Sequence, residues 1–367
     1  MKFICERSIL LKEISIAQEI ISTKNAISIL SNVLLETSGS TLFIKATDIK
    51  VNFKTSLPVN VVEEGSTTVF CDKLLGILAS IPDGELEFEH SNGKVTIKPS
   101  FKKIKFQLKS ITSEKYPEFP VSDDISFFDI PVKEFKKMVT QTIFSISDDE
   151  TRYFMNGVFF EQRNNEELVM VATDGRRLAF IKKAFEGIPE FSGVIIPPKI
   201  LSLISKRAGD EGLVSIGITE KTLFVNFGPY KFSSTLIEGN FPNYQRVIPE
   251  SQSFSFSVNK PELIDALKRV SLLVEQKSRR IFLTAQSGVL SISSDESDIG
   301  TAKEDIPCRY DGESFTIAIN YRYLEEPLKV IAEDTVTIQF TEPNKAITLY
   351  PAPESDYFHI IMPMQLD

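Results

Sequence analysis

The sequence has little of what disulfide-bonded, metal-binding and nucleophilic proteins need. Cys5, Cys71 and Cys308 are the only cysteines and lie far apart, which excludes a disulfide framework and a CxxC-type metal site and favours a reducing cytoplasm. His90 and His359 are the only histidines and are also far apart, which disfavours a nucleophile activated by a histidine base. We therefore expect neither catalytic residues nor a bound metal.

Phosphate-binding loops and membrane segments are also missing. Neither GxxxxGK[ST] nor GxGxxG occurs, so no loop is predicted to cradle a nucleotide and no cofactor is expected. The N-terminal stretch MKFICERSILLKEI has charged residues where a signal peptide needs an apolar run, and no later stretch stays apolar long enough to span a bilayer. The sequence therefore predicts a cytoplasmic protein with no membrane partner.

The sequence does have length and a threefold internal repeat. At 367 residues and 42% hydrophobic, it is too long for one ordinary core. A pattern of strand, helix, hairpin-like strand pair, second helix and two further strands recurs with a period of about 125 residues. The hairpins read NVLLETSGSTLFIKATD, NGVFFEQRNNEELVMVATD and RRIFLTAQSGVLSISSD. We predict an α+β fold of three tandem units, each with two helices on an antiparallel sheet.

Two aromatic segments containing proline mark the predicted domain boundaries. YPEFP at 116–120 and NFPNY at 240–244 close the first two copies, which gives domains at 1–121, 122–248 and 249–367. Apolar periodicity predicts six helices, at 8–21, 72–80, 132–146, 198–208, 260–274 and 320–332. Pro327 conflicts with the last helix, which is expected to start later or to kink.

Charge is distributed unevenly between these predicted elements. The whole chain has a formal charge of −9, which argues against a protein that coats itself in nucleic acid. The six predicted helices nevertheless contain more basic than acidic residues. Lys133, Lys136 and Lys137 share one helical face, as do Lys199 and Lys206, and such faces suit contact with phosphates. Ordinary solvated helix faces are the alternative interpretation.

Two groups of acidic residues could in principle bind Mg²⁺ for nuclease chemistry. One is Asp148, Asp149 and Glu150, and the other is Asp295, Glu296 and Asp298. Both lie in predicted loops without a partner base, where acidic residues are usually solvated. A nuclease is therefore disfavoured.

Several motifs together resemble the bacterial DNA polymerase III beta subunit family over essentially the full chain. They are MKF at the start, ILSN at 29–32, RYFMNG at 152–157, VATDGRRLA at 171–179, NFPNY at 240–244 and the terminal MPMQL. The resemblance implies the DNA clamp fold and a head-to-tail homodimeric ring that encircles duplex DNA without sequence specificity. It also implies a processivity factor for DNA replication, with no catalytic activity, loaded by an ATP-driven clamp loader.

The resemblance further implies a pocket that binds short peptides of partner proteins. These partners would be the DNA polymerase III alpha subunit, clamp-loader subunits, and other DNA polymerases and repair proteins. The residues that match the family's pocket are Met155, Thr173, Gly175, Arg177, Leu178, Pro242, Arg246, Val247, Asn320, Tyr323, Ile360, Met362, Pro363 and Met364. Position 176 is Arg where the family often has His.

DNA and dimer contacts are implied in the same way. The DNA-contacting residues would be Lys24, Lys136, Arg152, Tyr153, Lys199 and Lys206, although the acidic residues 148–150 depart from the family's pattern in one such loop. Phe106 and Leu108 of the first domain would meet Leu272 and Leu273 of the other subunit's third domain, forming an apolar seam. An alternative function is a β-rich scaffold that binds peptides without acting on DNA.

Overall fold

Antiparallel sheet dominates the fold. The computed structural model describes residues 1–21, 28–164 and 166–366. Within it the chain divides into two units, one made of Met1–Pro131 with Glu211–Thr235 and the other of Val132–Asp210 with Leu236–Asp367.

Six α-helices occur in the described part of the chain. They are α1 (Arg7–Ile20), α2 (Cys71–Ser80), α3 (Val132–Thr142), α4 (Pro198–Arg207), α5 (Lys260–Val270) and α6 (Tyr321–Val330). In α1 the apolar residues Leu10, Ile14 and Ala17 recur at three- and four-residue spacing and are fully buried. Short 3₁₀ helices follow α3 at Ile143–Ser145 and α5 at Ser271–Leu273.

The first unit contains one sheet with the strand order β10-β15-β16-β17-β4-β3-β2-β6-β9-β8-β7-β1-β5. Its strands are β1 (Lys2–Glu6), β2 (Asn32–Ser38), β3 (Thr41–Thr47), β4 (Val51–Pro58), β5 (Asn60–Glu63), β6 (Gly65–Phe70), β7 (Glu85–Ser91), β8 (Lys94–Pro99), β9 (Phe106–Ile111), β10 (Phe127–Pro131), β15 (Leu213–Ile218), β16 (Thr222–Phe227) and β17 (Tyr230–Thr235). Alternate residues of β3 are buried, including Leu42, Ile44 and Ala46, and α1 packs on β3 and β4. Of the opposite residues of β3, Thr41, Phe43 and Lys45 are only partly covered, whereas Thr47 is buried.

The second unit contains a sheet with the order β14-β11-β12-β13-β25-β24-β23-β18-β21-β20-β19-β22. Its strands are β11 (Val158–Arg163), β12 (Glu167–Thr173), β13 (Arg177–Ala184), β14 (Val194–Ile196), β18 (Phe254–Asn259), β19 (Arg280–Gln286), β20 (Val289–Ser294), β21 (Lys303–Arg309), β22 (Phe315–Asn320), β23 (Thr335–Phe340), β24 (Ile347–Ala352) and β25 (Tyr357–Ile361). Helix α3 packs on β12 and β13.

All six helices lie where the sequence predicts them, with ends that differ by a few residues. The largest differences are at the C-termini of α3 and α5, where the predicted helix continues as the 3₁₀ turns. Of the two alternatives expected for the last helix, the later start is wrong, because α6 begins at Tyr321 and runs through Pro327 to Val330, and the kink stays a prediction. Pro327 lies near the end of α6, so it removes only the N–H that would bond to the Tyr323 carbonyl.

The two units do not follow the three predicted domains. Strands β10 and β15–β17, from the predicted second domain, join the first sheet through pairing of β17 with β4. The rest of that domain joins the second sheet through pairing of β13 with β25. The boundaries at 121 and 248 stay a prediction.

The three cysteines of the chain differ in burial. Cys5 and Cys71 are buried and Cys308 is half-buried, and all three are free thiols. Burial raises the pKa of Cys5 to about 12 and that of Cys71 to about 12.

No helix in residues 1–21, 28–164 and 166–366 has the length and apolar character needed to cross a membrane.

Candidate functional site

A cleft of about 280 Å³ opens in the second unit. The turn between β12 and β13, the end of β25 and the segment 242–247 form its walls. Its lining residues are Met155, Thr173, Gly175, Arg176, Arg177, Leu178, Pro242, Asn243, Tyr244, Val247, Ile360 and Met362. Most of the lining is apolar, so the cleft can bury apolar side chains while a few polar groups orient a ligand.

The β12–β13 turn is held by side chains of the motif VATDGRRLA. The Asp174 carboxylate accepts backbone hydrogen bonds from Arg176 at 2.9 Å and Arg177 at 3.1 Å, and the Thr173 hydroxyl accepts one from Gly175 at 3.1 Å. Gly175 has a φ of 86°, and a Cβ there would lie 2.9 Å from Arg152 Nη1. These bonds give the cleft a rigid edge.

Arg177 links the turn to the helices behind the cleft. Its guanidinium is 9% exposed, donates to Asp174 at 3.0 Å and to the Phe144 carbonyl at 2.6 Å, and forms an ion pair with Glu326. It also lies 4.7 Å from the centre of the Tyr323 ring. Two carboxylates therefore neutralise Arg177, and its role is to support the wall of the cleft.

Tyr244 forms another wall and has two charged partners. Its hydroxyl donates to the Glu161 carboxylate and accepts from Arg163, and Glu161 and Arg163 are themselves paired at 2.7 Å. Burial and the hydrogen bond to Glu161 raise the pKa of Tyr244 well above its ordinary value. The ring packs with Val171, Leu178 and Ile360 in one buried cluster beneath the cleft.

Strand β25 brings the last part of the chain to the cleft. Leu178 faces Ile360 across the β13–β25 pair. Beyond the strand, Met362 N–H donates to the Arg176 carbonyl at 2.8 Å, and Met364 N–H donates to the Ala318 carbonyl on β22 at 2.7 Å. Backbone hydrogen bonds therefore hold the segment after β25 to the β12–β13 turn at one point and to β22 at another.

His359 lies on β25 behind the cleft, where it is fully buried. Burial lowers its pKa well below the ordinary 6.5, and the charge of Arg177 lowers it further. The Tyr323 carbonyl is close enough to oppose this shift, but neither ring nitrogen has a hydrogen-bond partner in the described residues. His359 is therefore a neutral core residue and not a base.

Most of the predicted pocket residues line this cleft, and three further residues join them. Those that line it are Met155, Thr173, Gly175, Arg177, Leu178, Pro242, Val247, Ile360 and Met362. Arg246, Asn320, Tyr323, Pro363 and Met364 do not. Asn320 caps α6 by accepting from Arg322 N–H at 3.0 Å. Arg176, Asn243 and Tyr244 were not predicted to line the cleft, although all three stand inside the motifs that placed their neighbours.

The predicted DNA-contacting residues are placed as follows. Lys24 lies outside the described residues. Lys136 donates to the Gly209 carbonyl and to Asp210, both at 3.0 Å, while Lys199 and Lys206 lie on α4. Tyr153 is exposed, and Arg152 pairs with Asp149 at 2.9 Å.

One member of each acidic group has a structural role, Asp149 in the first and Asp295 in the second. Hydrogen bonds from Thr151 and Arg152 lower the pKa of Asp149, which caps the 3₁₀ helix Glu150–Met155. Asp295 forms a two-point ion pair with Arg280 at 2.8 and 2.9 Å. No cluster of three or more His, Cys, Asp or Glu side chains that could hold a metal ion occurs within the described ranges.

The predicted dimer residues lie in separate units. In the first unit Phe106 and Leu108 are half-buried on β9. In the second, Leu272 is 77% exposed on the turn after α5, and Leu273 is half-buried beside it.

Comparison with known proteins places the chain in a family. Family models of the DNA polymerase III beta subunit match residues 1–120 (N-terminal domain), 129–243 (central domain) and 245–365 (C-terminal domain). The chain is 50% identical to the beta sliding clamp of Treponema pallidum (strain Nichols) over 372 residues, with all of both chains covered. It is 30% identical to the beta sliding clamp of Borreliella burgdorferi over 385 residues, covering 99% of this chain and 98% of that one.

Solved structures agree with these relatives. A sliding clamp from Pseudomonas aeruginosa, described as bound to griselimycin, has a TM-score of 0.94 at 27% identity. The sliding clamp of Bacillus subtilis has a TM-score of 0.95 at 26% identity, and each comparison covers all of both chains. These matches define the class as a three-domain DNA clamp, which confirms the fold expected from the sequence. The chain belongs to the DNA polymerase III beta subunit family, and so it is a sliding clamp subunit and not an enzyme.

Proposed function

We propose that two copies of the chain form a head-to-tail ring that encircles duplex DNA and tethers the replicative polymerase to it. The match of all three family domains along the chain carries this proposal. An external ATP-driven loader opens and closes the ring, since no nucleotide-binding loop occurs in the sequence. The ring acts in the cytoplasm and raises the processivity of replication.

The cleft of the second unit is the proposed docking site for partner peptides. Its apolar lining would accept apolar anchor residues, and the flexible side chains of Met155 and Met362 would adapt to different peptides. Arg176 and Arg246 are exposed beside the apolar lining, where they would orient the peptide. The DNA polymerase III alpha subunit, loader subunits, and other polymerases and repair proteins would compete for this one cleft.

The DNA contact is proposed to involve phosphates and no bases. Lys199 and Lys206 on α4 offer point charges without the side-chain pattern that reads base edges. Lys136 would have to exchange its bonds to Gly209 and Asp210 for a phosphate. Contacts of this kind let a ring move along DNA, because every position on the duplex offers the same charges.

Retention on circular DNA tests the proposal. The purified protein is loaded on nicked circular DNA with loader and ATP, and the circle is then cut. We expect the protein to stay on circles and to leave linear molecules by sliding off their ends. Equal dissociation from both forms would contradict encirclement and would favour the peptide-binding scaffold.

A charge-reversed variant tests the phosphate contact in the same assay. Lys199→Glu with Lys206→Glu should reduce the amount of protein loaded, while sedimentation still shows a dimer. Unchanged loading would remove this helix face from the proposed DNA contact.

A further inference from the structure

Three lysines form a row across the first sheet, on the face opposite α1. Lys45 on β3 is directly opposite Lys54 on β4, and Lys54 is directly opposite Lys231 on β17. Facing residues of neighbouring antiparallel strands have Cα atoms only about 4.5–5.5 Å apart. The three side chains therefore project side by side from adjacent strands, and Asn226 of β16 extends the row beyond Lys231.

The neighbouring row of side chains on the same face is polar, and its members are hydrogen-bonded to one another. Thr47, Asn52 and Ser233 occupy the same three strands two residues away. The Thr47 hydroxyl donates to Asn52 Oδ1 at 2.7 Å, and Asn52 Nδ2 donates to Ser233 Oγ at 3.0 Å. That row is buried and bonded from end to end, whereas the lysine row places like charges opposite one another, which is unfavourable for a sheet.

Only one carboxylate offsets the three ammonium groups. Glu36 pairs with Lys45 at 2.6 Å. Lys54 lies 5.3 Å above the Phe43 ring, and within the described part of the chain neither Lys54 nor Lys231 forms an ion pair, although the charge of Glu36 also acts on Lys54. Partial burial, and then the charges of Lys45 and Lys231, lower the pKa of Lys54, so the repulsion is felt at the central lysine.

We infer that this row binds the phosphate backbone of single-stranded nucleic acid. An anion between the ammonium groups would relieve their repulsion, and lysine contacts a phosphate as a mobile point charge. The apolar group beside the row is the Phe43 ring, and Lys54 lies over it, so the row offers charge rather than an open site for an apolar anchor residue, which disfavours an acidic peptide. Three lysines match two or three phosphates of one strand, too few for both strands of a duplex. The inference goes beyond the proposed encirclement and does not depend on it.

Anisotropy of a fluorescein-labelled oligothymidine tests the inference on the full protein without loader. We expect weak binding whose log K falls with log salt at a slope of about −1.4 to −2, from about −0.7 per phosphate. Lys54→Met keeps the apolar stem and removes the charge. It should weaken binding about threefold to tenfold and make the slope shallower by about 0.7.

Lys221→Gln, in the exposed turn between β15 and β16, is the matched control and should change neither quantity. Lys54→Met should unfold at the same temperature as the parent or higher, because it removes repulsion. Equal binding by the parent and Lys54→Met would overturn the inference. Equal binding of poly-glutamate, or of duplex DNA, with the same loss in Lys54→Met would overturn the choice of ligand. Retention on circles is measured separately, so failure here leaves the ring proposal standing.

Discussion

Tyr244 is held at the cleft by two charged side chains and by aromatic neighbours. Phe159, Phe180 and Phe241 lie with ring centres 6.1–6.4 Å from its own. Glu161 and Arg163 bond its hydroxyl. Both ends of the side chain are therefore restrained, and the wall of the cleft is already formed before a peptide arrives.

Tyr244→Phe should lower the free energy of unfolding by about 1.5–3 kcal/mol, the range for a hydrogen bond to a charged group. The ring would keep its packing, so a labelled clamp-binding peptide should bind only a few-fold more weakly. Chemical denaturation and fluorescence titration measure the two effects.

Tyr350→Phe provides the control for Tyr244→Phe. Tyr350 is also an aromatic residue of the second unit, with a ring 5.7 Å from Phe358, but its hydroxyl bonds to no described residue. Its loss should leave stability almost unchanged. Equal stability of the two variants would show that the Glu161 and Arg163 contacts do not restrain Tyr244.

Individual cleft residues were predictable only where a motif carried them. Met155, Thr173 and Leu178 came from the family resemblance, not from periodicity. Tyr244 stands inside the motif NFPNY, but its role as a wall of the cleft was missed because that role depends on Glu161 and Arg163, about eighty positions earlier in the chain. No local pattern reveals a contact between residues so far apart.

Strand β25 contributes Ile360 to the cleft and also carries the fully buried His359. Ile360 reaches the cleft, whereas His359 points to the other face, where its ring lies tilted against that of Phe144 with ring centres 5.6 Å apart. Because the pKa of His359 is lowered in the folded chain, the unfolded chain binds a proton that the folded chain does not. That difference makes the stability of this region depend on pH.

Stability should be constant above about pH 7 and should fall as the pH drops below 6.5, the ordinary histidine pKa. The loss from this one group is at most about 1.4 kcal/mol for each pH unit, and it continues down to the folded pKa. Denaturation between pH 5 and 7 measures it.

Replacing the histidine should remove this dependence. His359→Leu has no titrating group and leaves no polar atom unpaired. His90→Asn is the comparison: burial lowers the pKa of His90 as well, but His90 is less buried and bonds to Ser110 at 3.0 Å, so its loss should change the slope less than that of His359. If the pH dependence of stability persisted in His359→Leu and disappeared in His90→Asn, His90 and not His359 would be its cause.

The sequence ATD occurs at 46–48 and again at 172–174, and a similar turn follows it in both copies of the repeat. After β3, Asp48 accepts from Lys50 and Val51 N–H groups, just as Asp174 accepts from Arg176 and Arg177 after β12. Ile49 has a φ of 80° where Gly175 has 86°. The repeated ATD aligns the two turns in sequence, but it does not reveal that a β-branched residue adopts this conformation in one of them.

On the scale of the whole molecule, the two sheets were not predictable from the repeat. Copies of one pattern indicate domains, but pairing of β17 with β4 and of β13 with β25 runs between predicted domains. The sequence of a strand at the edge of a domain does not indicate which strand it pairs with. Its hydrophobic alternation would suit any neighbouring strand.

Leu272 tests the proposed ring at this scale. Leu272→Asp should weaken dimerisation at least about tenfold, because a charge would be desolvated in an apolar seam. Analytical ultracentrifugation over a concentration series measures the change.

Val121→Asp is the matched substitution, at a residue that is 75% exposed between the first two predicted domains. Dimerisation should be unaffected in this variant. If both variants dimerise like the parent, Leu272 does not lie in the seam.

The burial of two of the three thiols makes site-specific labelling practical. Cys5 and Cys71 are buried and, with pKa values raised to about 12, they carry almost no thiolate at pH 8. Cys308 is half-buried on β21, and although burial raises its pKa too, it is the most accessible of the three. A maleimide dye should therefore attach at one defined position, Cys308, of the unaltered chain. The movement of the labelled protein can then be followed by fluorescence microscopy without first removing any cysteine.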